Sequence, residues 1–401
     1  MSKKEALAVK KDVHWVGVLD YDIVTFDVVM ETKFGTTYNA YFIDAEKKTV
    51  IETVKEKFWP EYEAKLRSLM DPGEIEYIVM NHTEPDHSGC VGKLLDLAPK
   101  ATVVGTGNAI RYLNDLLNRP FESLQVKDGH ELDLGNKTLR FIGAPNLHWP
   151  DSMYTYLVQD KLLFTCDSFG AHYADDRMFD DLVDNWDEAF DYYFDVILRP
   201  FSKFMLKAIE KIEGLEIDAI CTGHGPILRT DWKRYVERSR KFAQEELDKK
   251  RNERVYIPYV SAYQKTGALA EAIARGINTV NGAEAIVMDI EHTPLGDIDS
   301  QIALANGLIV GCPTINQNIL LPVYRLFAVV NPLRDKGKLA GGFGSYGWSG
   351  EGMKLIRANL EALKLKYTET DMFVKFSPAE DELKRAEAYG RQFAEQMLQQ
   401  A

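Results

Sequence analysis

The last part of the chain sets the tightest limit on its fold: five short apolar strands alternate with five helical stretches over about 150 residues. VYIPYV leads into GALAEAIARGI, AEAIVMDI into DIDSQIALA and GLIVGCP into NILLPVYRLFAVV. KLAGGFG then leads into EGMKLIRANLEALK, and TDMFVKF into AEDELKRAEAYGRQFAEQML. Regular strand–helix alternation packs as an open, doubly wound parallel sheet with helices on both faces.

Ligands of such sheets lie beyond the carboxyl ends of the strands. Three loops leave those ends here. The first runs Ser261, Ala262, Tyr263, Gln264, Lys265, Thr266 at the start of a helix. Hydroxyls and N–H groups at a helix N-terminus cradle a phosphate, helped by the helix dipole. The second runs Cys312, Pro313, Thr314, Ile315, Asn316; the third runs Gly344, Ser345, Tyr346, Gly347, Trp348, Ser349, Gly350. Glycines let backbone approach a ligand closely, and aromatic rings cover a planar one. No G-x-G-x-x-G follows the first strand, so the dinucleotide fingerprint is missing. One phosphate loop and two ring-contacting loops suit a mononucleotide flavin, FMN.

A single core rarely grows past ~250–300 residues, so a chain of 401 divides into two domains. Residues 233–254, KRYVERSRKFAQEELDKKRNER, form a highly charged helical stretch that ends at VYIPYV. The boundary is expected near residue 250, giving domains of 1–250 and 251–401. The first is rich in strands: HWVGVLD, TTYNAYFID, KTVIETV, IEYIVMN, ATVVGT, LRFIGAP, MYTYLVQ, KLLFTCD and DAICTGH. Helices such as WPEYEAKLRSLM lie between some of them, a layout compatible with two sheets covered by helices.

A net charge of −13 and a pI of about 5.2 argue against nucleic acid or an anionic membrane surface as partner. No apolar run reaches the ~18 residues of a spanning helix, and MSKKEALAVKKDVHW lacks the apolar stretch of a signal peptide. A cytoplasmic protein is expected. Cys90, Cys166, Cys221 and Cys312 form no C-x-x-C pair, which excludes zinc ribbons, rubredoxin centres and cysteine-held clusters. They read as small core residues.

The segment IEYIVMNHTEPDHSG carries the strongest chemical signal. A buried strand gives way to a polar loop holding His82, Glu84, Asp86 and His87. Side chains two apart at a strand end point the same way, as His82 and Glu84 would. His148 in NLHWPDS, Asp167 in FTCDSFG and His224 in CTGHGP each follow another strand. Strand ends are where one site can be assembled from several segments. Three carboxylates beside the histidines shift such a site from zinc towards iron or manganese. His14, His130 and His292 stand outside any constellation.

The pattern resembles the metallo-β-lactamase superfamily, whose first motif is usually H-x-H-x-D-H. Here it reads H-T-E-P-D-H, with Glu84 in place of a histidine. With HWPDS and GHG downstream, the chain resembles the flavodiiron (A-type flavoprotein) family over essentially its whole length, and GSYGWSGEG is a close match to that family. The resemblance implies an α/β protein: a metallo-β-lactamase-like αββα sandwich followed by a flavodoxin-like doubly wound parallel sheet. It implies two non-haem iron ions: His82, Glu84 and His148 on one, Asp86 and His224 on the other, Asp167 bridging. His87 matches a position that ligates in some members and swings away in others. His172 and Tyr193 match positions lining the substrate pocket.

It further implies electron transfer from FMN to a diiron site that reduces dioxygen to water or nitric oxide to nitrous oxide. The expected assembly is a head-to-tail homodimer, or a tetramer of two such dimers. Rubredoxin or a reduced deazaflavin is the expected electron donor. Ala262, Lys265, Cys312 and Gln317 depart from the residues common in the family's flavin loops. The rival readings are a zinc hydrolase of the β-lactamase fold fused to a flavodoxin-like domain, and an electron carrier whose first domain is only a scaffold.

Overall fold

The computed structural model describes residues 5–26, 30–248, 253–332, 334–368 and 370–400. The chain forms two compact units, Met1–Val24 with Thr32–Asp248, and Thr25–Glu31 with Lys249–Ala401. The short antiparallel pair Thr25–Phe26 and Met30–Glu31 therefore groups with the second unit. Thr32 N–H donates to Val24 O at 3.1 Å and closes the neck of this excursion. No sequence signal announced it.

The first unit is built on two sheets. One has seven strands in the order Leu7–Lys10, Val13–Trp15, Tyr41–Ile43, Lys48–Ile51, Ile75–Met80, Thr102–Gly105, Ser123–Gln125. The other has five, in the order Glu131–Asp133, Thr138–Gly143, Met153–Leu157, Leu162–Cys166, Ala219–Thr222. One core joins them: Trp15, Tyr41, Ile51, Val79 and Val104 from the first sheet pack with Phe141, Leu157, Phe164 and Cys221 from the second. Met153–Leu157 and Leu162–Cys166 are buried along their whole length, which explains why they read as continuous apolar runs. Helices Trp59–Leu69, Gly107–Leu117, Ser202–Ile212 and Trp232–Asp248 belong to this unit.

Two expected strands are broken. HWVGVLD divides into Val13–Trp15 and Val18–Asp20, and TTYNAYFID into Thr36–Tyr38 and Tyr41–Ile43. A Cβ on Gly17 would lie 2.3 Å from Tyr38 O, so the chain crosses closely there. Buried Asn39 marks the matching break. It donates to the carbonyls of Thr222 and Gly225 at 3.0 Å and accepts from Trp15 Nε1 at 2.8 Å. The freed strands pair with each other as a separate ribbon.

The second unit follows the alternation read from the sequence. Its parallel sheet runs Ala283–Asp289, Glu253–Tyr259, Gly307–Gly311, Leu339–Tyr346, with Lys366–Tyr367 and Met372–Lys375 both pairing with Leu339–Tyr346. Two apolar layers cover its faces. One includes Val323, Leu326, Ile356 and Leu360; the other includes Leu269, Ile273, Phe393 and Met397. Among the described residues, no helix is long and apolar enough to cross a membrane.

Candidate metal centre and cofactor site

The seven residues singled out as metal ligands converge. His82 and Glu84 follow the strand Ile75–Met80, and Glu84 precedes the single turn Pro85–Ser88 that carries Asp86 and His87. His148 lies in the connection between Thr138–Gly143 and Met153–Leu157. Asp167 directly follows Leu162–Cys166, and His224 lies just beyond Ala219–Thr222 in a turn where Gly225 takes φ +74°. All but partly exposed His148 are buried.

The seven sort into two sets that share Asp167. Glu84 Oε2 lies 3.2 Å from His82 Nε2 and 3.1 Å from His148 Nε2. Asp167 Oδ2 faces the same two nitrogens at 3.6 and 3.4 Å. In the second set, Asp86 Oδ2 lies 3.4 Å from His87 Nε2 and 3.2 Å from His224 Nε2. Asp167 Oδ1 faces that pair at 3.2 and 3.5 Å. Each carboxylate oxygen of Asp167 thus belongs to a different set.

The imidazoles are aimed by partners on their other nitrogen. His82 Nδ1 lies 3.3 Å from both oxygens of Asp151, and Asp151 Oδ2 accepts from Thr83 N–H at 2.8 Å and the Thr83 hydroxyl at 2.7 Å. His224 Nδ1 donates to Thr37 O at 2.5 Å. Such partners fix the tautomer and raise the basicity of a ligating histidine. Sequence reasoning missed Asp151, although its place in HWPDS, three residues after His148, put it within reach of the same loop.

Electrostatics follows from this crowding. Burial alone would lower the His148 imidazole, but hydrogen bonds to Asp167 and Glu84 outweigh it and hold it up to about 9. Burial is likewise overcome at His87, where the charges of Asp86 and Asp167 raise it to about 10. Burial would raise Asp167, yet the charge of His87 and the hydrogen bond from His148 hold it well below the usual carboxylate range. Glu52, at the end of Lys48–Ile51, goes the other way: burial pushes its carboxyl up to about 8.

Both oxygens of Asp86 are buried without a hydrogen-bond partner. Buried carboxylate oxygens left this way call for a cation. Ligating atoms of His82, Glu84 and His148, and of Asp86, His87 and His224, lie within 4.8 Å of one another in each set. Mixed histidine and carboxylate donors suit iron or manganese better than calcium or a thiolate-bound metal. The residues present therefore fit two ions, with one oxygen of Asp167 available to each set.

His172 and Tyr193 stand beside the second set. Their rings are 4.9 Å apart, and the His172 ring is 5.1 Å from that of His224. His172 Nδ1 is 2.9 Å from the Thr36 hydroxyl, and the Tyr193 hydroxyl is buried without a hydrogen-bond partner. Burial, with the neighbouring charge of His224, depresses the His172 imidazole well below its ordinary range.

In the second unit, a cleft of about 310 Å³ opens at the carboxyl ends of the strands. Ala262, Tyr263, Lys265, Thr266, Pro313, Thr314, Ile315, Ser345, Tyr346 and Gly347 line it. Phe376 and Ser377, just past the strand Met372–Lys375, line it too and were missed. Both follow a strand end, the position that drew attention to the other three loops. Of the remaining expected contacts, Ser261 accepts from Gly267 N–H at 3.1 Å and fixes the helix start instead. Gln264 and Asn316 carry left-handed backbone in their turns. Trp348, Ser349 and Gly350 lie before the helix Glu351–Ala362 outside the cleft lining, with Trp348 77% exposed. A helix N-terminus, hydroxyls and an aromatic rim fit a phosphorylated planar ligand such as FMN.

Fold and site together define a two-unit flavoprotein whose β-lactamase-like half carries a dinuclear metal centre. Family models for an ODP family beta lactamase and for flavodoxin match residues 36–225 and 257–390. The flavo-diiron protein FprA2 of Clostridium acetobutylicum is 37% identical over 397 residues, which is 97% of this chain and 99% of that protein. The anaerobic nitric oxide reductase flavorubredoxin of Salmonella arizonae is 35% identical over 400 residues, 98% of this chain and 82% of that one. The structure of rubredoxin oxygen:oxidoreductase from Desulfovibrio gigas superposes with a TM-score of 0.75 at 29% identity, covering 98% and 99% of the two chains. The chain belongs to the flavodiiron, or type A flavoprotein, family of oxidoreductases. The fold class expected from the resemblance holds in both halves.

Proposed function

We propose that this protein is an FMN- and diiron-dependent reductase that takes electrons from an external donor and reduces dioxygen to water or nitric oxide to nitrous oxide. The split of Asp167 between two ligand sets is the observation that carries this reading. Dioxygen takes four electrons and four protons to two waters. Two nitric oxides take two electrons and two protons to nitrous oxide and one water.

His82, Glu84 and His148 would hold one iron, Asp86, His87 and His224 the other, with Asp167 shared. The inward turn of His87 Nε2 towards Asp86 and Asp167 supports its place among the ligands. When bound, iron supplies electrons to the gas and FMN carries them from the donor. Tyr193 offers a buried hydroxyl that can donate a hydrogen bond beside the second set. His172, held by Thr36, fixes the ring against which Tyr193 packs. Lys265 and Thr266 would meet the FMN phosphate, and Tyr346 and Phe376 its ring.

Residues 1–250 and 251–401 would act as the metal and flavin modules of a cytoplasmic enzyme. A head-to-tail homodimer would set the flavin of one subunit beside the metal centre of the other. Phe376, 64% exposed, and Trp348 give the second unit an apolar surface that supports such an assembly. The donor would be rubredoxin or a reduced deazaflavin, since the chain itself has no paired cysteines.

The deciding experiment supplies the iron- and FMN-loaded protein with excess reduced rubredoxin and follows dioxygen and nitric oxide by electrode. Rapid loss of either gas supports the reading and identifies the substrate. Loss of neither gas while the flavin is visibly reduced overturns the diiron assignment.

A further inference from the structure

Two buried polar atoms next to the second ligand set have no hydrogen-bond partner: Glu52 Oε2 and His87 Nδ1. They belong to residues that are 2% and 1% exposed. Glu52, His87 and Cys166 each present a ligating atom, and the three atoms lie within 4.8 Å of one another. His87 Nε2 is turned towards Asp86 and Asp167, so its Nδ1 points away from them. Its partner must come from outside the ligand set.

The backbone around Glu52 is already fastened to this helix turn. Thr53 N–H donates to His87 O at 2.8 Å, and the Thr53 hydroxyl donates to the same oxygen at 2.5 Å. Glu52 Oε1 accepts from Asn81 N–H at 2.6 Å, which fixes the carboxylate plane and leaves Oε2 as its second arm. Glu52 also takes φ +61°, a conformation uncommon outside glycine and held here by its surroundings. A Cβ on Gly223 would come within 3.0 Å of His87 Cε1, so the ring is closely confined.

We propose that Glu52 is the positioning residue of His87: its Oε2 accepts the Nδ1 proton, directly or through one bridging water, and keeps Nε2 aimed at the second metal position. Histidine ligands generally hand their second nitrogen to a carboxylate, carbonyl or water. His82 has Asp151 and His224 has Thr37 O in that role. Glu52 is the carboxyl group that supplies it for His87. This inference rests on the diiron reading.

The test titrates metal-free full-length protein, wild type and Glu52→Gln, with Fe²⁺ in the absence of oxygen against a competing chelator. The glutamine keeps an oxygen for Asn81 N–H and turns a donor towards the His87 proton. Affinity for one of the two ions should fall about tenfold to a hundredfold, with the other ion and the FMN content unchanged. The Mössbauer spectrum should change at one iron only. In a His87→Asn background, Glu52→Gln should have no further effect on affinity. Wild-type affinity and spectrum in E52Q overturn the proposal, as does an equal loss in both backgrounds. If E52Q does not fold, Glu52→Asp, which keeps the carboxyl group but draws it back from His87, carries the same expectation and the same overturning result. A wild-type chain that binds no pair of irons instead overturns the diiron reading, and this inference with it.

Discussion

Asp151 reaches His82 Nδ1 with both of its oxygens at 3.3 Å while Thr83 holds one of those oxygens with two hydrogen bonds. The pair ties the loop carrying His148 to the loop carrying His82. Glu84 lies between these two histidines, so any turn of His82 is felt across the first set. Replacing Asp151 by Asn keeps the shape but removes the charge that favours an Nδ1–H tautomer. Metal affinity of the first set should fall about tenfold to a hundredfold, measured by chelator competition. An unchanged affinity would mean that Thr83 and packing alone orient the ring.

Proton balance gives a second prediction. In the metal-free chain, His148 and His87 are raised from 6.5 to about 9 and about 10. Groups raised on folding add stability that is complete below their unfolded values and is lost as pH climbs through the folded ones. Glu52, raised from 4.5 to about 8, adds in the same direction. Metal-free protein should therefore lose stability between about pH 4.5 and 10, Glu52 contributing from 4.5 to about 8 and the two histidines from 6.5 to about 10. Depressed Asp167 and Glu84 act oppositely and weaken it in acid. Ligation requires neutral imidazole, so iron uptake at neutral pH should release protons. Calorimetry in two buffers of different ionisation enthalpy would reveal them; equal heats would show that the histidines were already neutral.

Gly223 offers a steric test. Its missing Cβ leaves room for Cys166 backbone at 2.8 Å and His87 Cε1 at 3.0 Å. Gly223→Ala should cost about 1–3 kcal/mol in the metal-free protein, the usual range for overpacking a dense interior. Thermal unfolding measures it. Wild-type stability together with full iron loading would mean that the His87 ring is free to shift.

Lys265 lines the cleft at a helix start. If it meets the phosphate, Lys265→Ala should weaken FMN about tenfold, or about 1.4 kcal/mol. Riboflavin, which lacks the phosphate, should bind both proteins alike. Flavin fluorescence quenching gives both affinities, and an equal loss for the two flavins would place Lys265 elsewhere than on the phosphate.

Legibility in the sequence followed how local each signal was. The parallel sheet of the second unit could be read because every strand there is a short apolar run next to its own helix. The ligand residues could be read because each lies at a strand end, and His82, Glu84, Asp86 and His87 are crowded into six positions. What could not be read depends on contacts between distant segments. The break at Gly17 exists only because Tyr38 crosses it, and the role of Asn39 only because Thr222 and Gly225 come to it. Glu52 carries no motif of its own, and Asp151, although inside HWPDS, has its partner in a loop tens of residues away. Phe376 reaches the cleft from beyond the last strand, where no glycine-rich run draws attention.

Asp167 has a further consequence for how the protein fills. Its plane is a single rigid body, and one oxygen cannot be aimed without aiming the other. An ion held by the first set would leave Oδ1 already turned for the second, and the reverse holds equally. Loading should thus be cooperative: at limiting iron, molecules divide between empty and full, with few in between. Native mass spectrometry across an Fe²⁺ titration would see this directly, and the single-ion species should become prominent when Asp167 is replaced by Asn.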